Sequence, residues 1–467
     1  MTAVPPSQRQ AQARDIVARL QAAGHDAFWV GGCVRDRLLG REPQDYDVAT
    51  NAHPAQIEAL FPRTIPVGRQ FGVVIVRLQG CEHQVATFRA EGPYQDGRRP
   101  SEVRFTDAIE DARRRDLTVN GLFYDPIRDQ LHDWVGGLAD LKARVIRTIG
   151  DPGERFTEDH LRLLRVPRFA AQLDFTIEPG TLSAVRRHAS LIHRVSAERI
   201  RDELLGLFRP PHAARGLDLL HETGLLDAVL PEVAAFAHCE QSPEHHPEGN
   251  VYEHVRRMLS LMPADAPAML PWAVLLHDIA KPLTASRDPA TGEIHFYGHE
   301  KVGAERTREL LDRLRFPRRE VDEVSAAVLH HMQFKDAPRM RRATRRRMIL
   351  RPTYPLELEL HRLDCLGSHG RLDGYECLRR EQEALAQQPA LIPPLLRGDD
   401  LLALGLPPGP PLGRLLTEIR DRQLEGELKT RQEALAWAHE AIQAREGSGP
   451  GIAGGENTTL RWTDPYG

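Results

Sequence analysis

One stretch near the amino end, AFWVGGCVRDRLLGREPQDYDVAT (27–50), limits the fold more than any other. AFWVGGCVRD reads as a short buried strand, a glycine turn and the start of a helix. A strand that ends on Gly31-Gly32 lets the backbone approach a phosphate closely, and the helix N-terminus then offers free N–H groups. Arg35 follows as a donor of matching charge. Asp45 and Asp47 lie one residue apart in QDYDVAT, and on a strand alternate residues face the same side, so both carboxylates project together. Side by side they repel each other unless a cation lies between them. Mg2+ prefers oxygen ligands, and two such ions could activate a hydroxyl and stabilise a leaving pyrophosphate. A lone DxD is more often a solvated turn, and a lone GG a structural bend. The glycines, the arginine and the paired acids in this order and spacing favour the chemical reading.

The surroundings of this unit mix strands and helices. Residues 11–23 carry Ile16, Val17 and Leu20 at helical spacing. VVIVRL (73–78) and HQVATFR (83–89) predict two strands joined by a turn at Gln79-Gly80. A loop rich in Gly, Pro and Arg follows (91–104), then a helical pattern over 110–122 and a strand and turn in QLHDWVGG. From about residue 154 the strand signals largely vanish and apolar residues recur at helical intervals, as in Leu161, Leu164 and Phe169. The predicted class is α+β: a small mixed-sheet head followed by an elongated all-α body. Proline-rich breaks and motif positions divide it at 1–150, 151–238, 239–385 and 386–445, with a Gly-rich tail, 446–467, read as disordered or loosely docked.

The motifs are similar to those of a known family. GGCVRD…DYDVAT resembles the first motif of the class II tRNA nucleotidyltransferases (CCA-adding enzymes) and the related bacterial poly(A) polymerases. RRRDLTVNGLFYD (113–125) resembles the family's RRDxTxN motif, EDHLR (158–162) its nucleotide-selecting EDxxR motif, and AERIRDEL (197–204) its neck motif. The resemblance implies a nucleotidyltransferase head that adds C, C and A to the tRNA 3′ end from CTP and ATP. It implies Asp45 and Asp47 as Mg2+ ligands and catalytic residues, and Gly32 and Arg35 at the incoming triphosphate. Arg115, Asp116 and Asn120 would shape the sugar and phosphate site. Asp159 and Arg162, three apart and sharing a face if helical, would read the base edge, and Arg165 and Arg168 would add positive charge nearby. Cytosine and adenine both place an exocyclic amine beside a ring acceptor, which an acceptor–donor pair matches and G and U do not. The bland alternative for Asp159 and Arg162 is an intrahelical ion pair.

Two departures from the family stand out. The acidic residue often found in the strand before TFR is replaced here by Gln84, with Glu82 a weak substitute. Pro167, in LLRVPRF, falls inside the helix predicted to carry the EDxxR motif, which predicts a kink after Arg165.

A second series follows in the helical body. His277-Asp278, in LLHDIAKP, resembles the centre of an HD phosphohydrolase domain. His254, His299, His330 or His331, and Asp364 follow the usual ligand order. Imidazole and carboxylate together suit Mn, Ni, Co, Fe or Zn; the alternative is a set of satisfied core histidines. Whether such a site would hydrolyse a 2′,3′-cyclic phosphate, a phosphomonoester or nothing stays open, as does the oligomeric state. RMRRATRRRMILR (339–351) is an all-arginine run that suits either phosphate contact or a solvated helix surface. Residues 395–435 resemble a helical element that holds tRNA in these enzymes. Lys+Arg 62 against Asp+Glu 66 leaves no overall positive field, so RNA contact needs local patches. No apolar run approaches the ~18 residues of a membrane-spanning helix. Five scattered cysteines without a CxxC pair and a polar amino end predict a cytoplasmic protein with no membrane partner. The rivals are a poly(A) polymerase, a partial CC- or A-adding enzyme, and an HD metal phosphohydrolase whose head only binds nucleotides.

Overall fold

The computed structural model describes residues 5–67, 69–92, 97, 103–242 and 249–446. The Gly-rich tail lies outside them. The chain forms two compact units, Met1–His331 with Glu359–Arg371, and Met332–Leu358 with Leu372–Gly467.

The first unit begins with a helix, Pro6–Ala22, whose Ile16, Val17 and Leu20 are fully buried. Strands β1 (Ala27–Val30), β2 (Asp47–Thr50), β3 (Thr64–Ile65), β4 (Val73–Leu78) and β5 (Cys81–Thr87) follow. β6 (Arg89–Glu91) and β7 (Val103–Phe105) form a separate antiparallel pair. β8 (Phe123–Asp125) and β9 (Gln130–His132) complete a seven-stranded mixed sheet of order β3-β4-β5-β2-β1-β8-β9. Every residue of β1 is buried, so both faces of the sheet are covered there. On one face Phe28, Val30, Ala49, Phe88, Ala112 and Phe123 form an aromatic-rich core. β4 and β5 meet at Gln79-Gly80, with φ of 45° and 87°. Two positive φ values make the tight hairpin turn whose twist matches the strands. The helical pattern over 110–122 resolves differently: a helix ends at Arg113 and a 3-10 turn spans Thr118–Asn120. Leu117 in extended conformation separates them, bridged to Thr148.

Beyond the head the unit is helical, with two small exceptions that periodicity alone misses. Val145–Ile146 pairs with Thr176–Ile177, and Ser286–Arg287 with Ile294–His295. The helix Arg162–Leu173 includes Pro167, the residue for which a kink after Arg165 is predicted, and stays one helix across it. Proline at this sixth position removes only the N–H that would reach Leu163, and the other turns are kept.

The second unit answers the arginine run. Arg346 is 1% exposed, donates to Glu381 at 2.7 Å and to the Leu424 carbonyl at 2.8 Å. Arg342 also reaches Glu381, Arg347 pairs with Asp421 at 3.0 Å, and Arg351 with Glu357 at 2.6 Å. The run is a structural hub whose partners Glu381 and Asp421 lie far away in sequence, while Arg339 and Arg341 stay exposed. Further on, helices Gly398–Ala403 and Pro410–Glu425 are separated at the Pro-rich segment, as its composition predicts.

Candidate functional site

Gly31 ends β1 with φ 74° and ψ −127°, and a side chain there would also press on Arg115 Nη1 at 3.3 Å. Only glycine takes this backbone without strain. The helix Gly32–Leu38 starts at once. β1 and β2 run antiparallel with Val30 opposite Asp47, and β2 runs parallel to β5 with Val48 beside Val85. That register places Asp47 next to Gln84 across neighbouring strands. Asp45 lies just before β2 and is exposed, while the intervening Tyr46 is buried against Trp29 at 4.8 Å. Burial, and then the negative charge of Asp45, push the Asp47 carboxyl up to about 6, against the pull of Arg115. Two acids crowded until one resists ionisation are what a divalent cation relieves. The donor set, the Asp47 carboxylate lining an open cleft and the exposed Asp45 carboxylate near enough to act on it, fits Mg2+.

Asp47 opens onto a cleft of about 660 Å³ whose walls carry Gln84, Asp116, Asp159 and six arginines, Arg89, Arg114, Arg115, Arg162, Arg165 and Arg199. Glu82 lies elsewhere, held by Arg77 at 2.5 Å, so the only third side chain that β5 offers beside Asp47 is the neutral Gln84. The arginine excess makes the cleft attractive to a polyanion.

The remaining sequence-derived residues form one polar chain next to this cleft. Arg35 is buried, donates to Asn120 at 2.6 Å and stacks over Phe169 at 5.2 Å. Asn120 reaches Asp116 at 3.4 Å, and Asp116 accepts from Arg165 at 2.5 Å. Burial works to raise the Asp116 carboxyl, but the Arg165 guanidinium overrides it and holds the group at about 2. Arg168 pairs with Glu203 at 2.8 Å and lies over Phe169 at 4.3 Å. Arg115 is tied to Asp111 at 3.1 Å.

Asp159 and Arg162 do not share a helical face. Asp159 caps the end of helix Pro152–Glu158 in an extended conformation, φ −131° and ψ 106°, and Arg162 begins the next helix. Both still line the cleft. Instead of the intrahelical ion pair of the bland alternative, each has another partner: Asp159 pairs with Arg199 at 2.9 Å, and Arg162 with Glu158 at 2.5 Å. Arg89, Arg114 and Arg199 are cleft residues that the sequence analysis missed. Arg199 lies within the quoted AERIRDEL segment, so its position was visible but its direction was not.

The second cluster is buried. His277 Nε2 and Lys281 Nζ approach Asp278 Oδ2 at 3.0 and 2.8 Å, while His299 and His331 face Oδ1 at 3.5 and 3.9 Å. His254 pairs with Asp364 at 3.2 Å. His277, His299 and His331 each bond a backbone carbonyl through Nδ1, those of Val274, Phe296 and Val328. That arrangement fixes the tautomer and aims each Nε2 lone pair at a common centre, as in metal-binding histidines. His254–His277–Asp278 and Asp278–His299–His331 each bring three ligand atoms within 4.8 Å. His331 rather than His330 joins the set. The helix Arg318–His330 ends between them, and the next residue turns inward.

The sequence profile of the poly(A) polymerase head domain matches residues 27–147, that of a probable RNA- and SrmB-binding site of polymerase A matches 174–236, and the HD domain matches 251–364. The solved CCA-adding enzyme of Bacillus stearothermophilus in complex with CTP superposes with a TM-score of 0.72 at 29% identity, covering 95% of this chain and 100% of that one. Over these segments the chain is similar to CCA-adding enzymes and poly(A) polymerases. Among curated relatives, the CCA-adding enzyme of Bacillus licheniformis is 45% identical over 189 residues, 40% of this chain and 47% of that protein. That of Streptococcus pyogenes is 46% identical over 195 residues, 42% and 48% of the two chains. The chain thus spans about half the length of the curated relatives it matches. No described helix is long and apolar enough to cross a membrane.

Proposed function

We propose that the chain is a template-independent tRNA nucleotidyltransferase that adds C, C and A to the tRNA 3′ end from CTP and ATP. The observation that carries this reading is the cleft itself, lined by Asp47, Asp116, Asp159 and six arginines. In the reaction the primer 3′-hydroxyl attacks the α-phosphate, the new O–P bond forms, the bond to the bridging oxygen breaks, and pyrophosphate leaves. Asp45 and Asp47 would hold Mg2+, which when bound neutralises phosphate charge and lowers the cost of ionising the hydroxyl. Gly32 offers a helix N-terminus to the triphosphate, and Arg35, Arg115, Asp116 and Asn120 fix the sugar and phosphate walls. Asp159 and Arg162 select the base, with Arg165 and Arg168 supporting them. Residues 1–150 would serve as catalytic head, 151–238 as nucleotide-selecting neck, 239–385 as HD domain and 386–445 as a tRNA-contact region. The described cysteines form no disulfide, which suits the cytoplasm.

The Asp45→Ala and Asp47→Ala variants should each lose incorporation while staying folded; near-normal addition in both ends the assignment. Labelled CTP or ATP offered to tRNA lacking CCA, CA or A separates full CCA addition from CC-, A- or poly(A) addition.

The buried His/Asp cluster favours a second activity. We infer that His254, His277, Asp278, His299, His331 and Asp364 hold a transition metal of the Mn, Fe, Co, Ni or Zn group and that the HD domain hydrolyses a phosphate ester. Phosphatase activity that depends on added metal, and is lost in Asp278→Asn but kept in Asp47→Ala, would support it; none under any metal would remove it.

A further inference from the structure

We propose that Arg199 is a specificity-determining residue of the nucleotide cleft, holding the Asp159 carboxylate in place and adding its own N–H donor to recognition of the base. The proposal rests on Asp159 being a base-selecting group.

Asp159 is not held by a helix. It lies in the break between two helices, so its side chain needs another restraint to present an acceptor at a fixed point. Arg199 supplies it: Nη2 reaches Oδ1 at 3.2 Å and Oδ2 at 2.9 Å. Oδ1 also accepts from the Leu161 N–H at 3.1 Å; each carboxylate oxygen has two acceptor sites, so capacity for an exocyclic amine remains on Oδ2. Arg162 is less available. Its Nη1 serves Glu158 at 2.5 Å and the Arg155 carbonyl at 3.3 Å, its Nη2 serves the Arg114 carbonyl at 3.1 Å, and the residue is 8% exposed. Arg199 lines the same cleft as Asp159, and its Nη1 is buried with no hydrogen-bond partner among the described residues. A buried donor without an acceptor is costly and is normally satisfied. A ligand in the cleft can satisfy it.

The chemistry then selects. Cytosine and adenine carry an exocyclic amine next to an unprotonated ring nitrogen, so Asp159 accepts the first while Arg199 Nη1 donates to the second. Guanine and uracil carry a carbonyl next to a ring N–H. Each would set a carbonyl against the carboxylate and an N–H against the guanidinium, two repulsive contacts instead of two bonds.

The test measures single-nucleotide addition to a tRNA lacking CCA and to one ending in CC, with CTP, ATP, GTP and UTP, for Arg199→Ala, Arg199→Lys and Asp159→Ala. In Arg199→Ala, KM for CTP and ATP should rise on the order of ten-fold with a smaller change in kcat. Discrimination against GTP and UTP should fall by a similar factor. Arg199→Lys keeps the charge but not the fork, and should recover part of the KM and little of the discrimination. Melting temperature and tRNA binding report folding; if Arg199→Ala fails to fold, Arg199→Gln and Arg199→Lys carry the same comparison. A loss of kcat alone, with KM and discrimination intact, assigns Arg199 a structural role and overturns the proposal. So does full discrimination in Arg199→Ala while Asp159→Ala loses it. If Asp159→Ala itself keeps discrimination, the base-selecting role of Asp159 fails first.

Discussion

Arg165 donates its Nε–H to the Asp116 carboxylate at 2.5 Å, joining the RRD segment of the head to the helix that follows the Asp159 break. Removing one member of this half-buried, charge-assisted pair leaves the other without its partner, which costs on the order of 1–3 kcal/mol. Arg165→Ala should lose stability on that scale in urea unfolding at pH 7. The sign follows from the depressed Asp116 pKa of about 2. The pair's contribution is present above the unfolded carboxylate value of about 4 and is lost as pH falls through 2. The deficit of Arg165→Ala should therefore shrink below pH 3. An unchanged deficit at pH 7 and pH 2 would show that the pair is not what stabilises the junction.

Asp47 behaves in the opposite sense. Its pKa is raised to about 6 without metal, so the folded state prefers the protonated group. Stability from that preference is complete below about pH 4 and is lost as pH rises through 6. In EDTA, Asp47→Asn should be more stable than the parent at pH 8, on the order of 2 kcal/mol, and nearly equal to it at pH 4. Added Mg2+ should stabilise the parent at pH 8 and leave Asp47→Asn unmoved. Denaturation curves at the two pH values, with and without the ion, decide it. A parent indifferent to Mg2+ at pH 8 would remove the metal role.

Much of this architecture was legible in the sequence because it is local. The strand–glycine–helix unit, the Gln79-Gly80 hairpin turn and the break before Pro410 each depend on residues that touch their neighbours in the chain. The failures are non-local. Asp159 and Arg162 look like a helical pair by spacing, yet the chain breaks between them and each finds a partner, Arg199 and Glu158, that spacing alone does not choose. The arginines of 342–351 look like a phosphate-binding stripe until Glu381 and Asp421 arrive from later helices. His330 and His331 are one residue apart, and only the point where the helix ends decides which faces inward.

That choice is testable by metal content. The Nε2 atoms of His299 and His331 lie 3.1 Å apart beside Asp278, and burial holds His331 down to about 3, so it is a neutral ligand at any working pH. Incubated with Ni2+ or Mn2+ and desalted, the parent should retain metal and melt higher. A metal at a hundred times its dissociation constant adds about 2.7 kcal/mol. His331→Ala and Asp278→Asn should lose most of that retention and stabilisation, and His330→Ala should keep both. Equal retention in all four proteins would show that the cluster is a packed core without an ion.

Arg346 gives the sharpest contrast within one run. Its guanidinium is 1% exposed and bonds Glu381 at 2.7 Å and the Leu424 carbonyl at 2.8 Å, so it ties two later helices to its own. Arg346→Ala leaves Glu381 to Arg342, removes the donor of the Leu424 carbonyl and opens space in the interior, a combined loss of about 2–3 kcal/mol. Arg339→Ala alters an exposed side chain and should change stability by less than about 0.5 kcal/mol. If the run served RNA instead, both variants would weaken tRNA binding alike and flatten its salt dependence by about one unit each. Urea unfolding and tRNA titrations at two salt concentrations separate the cases: unfolding should respond only to Arg346→Ala, and any change in salt slope should come only from Arg339→Ala or Arg341→Ala.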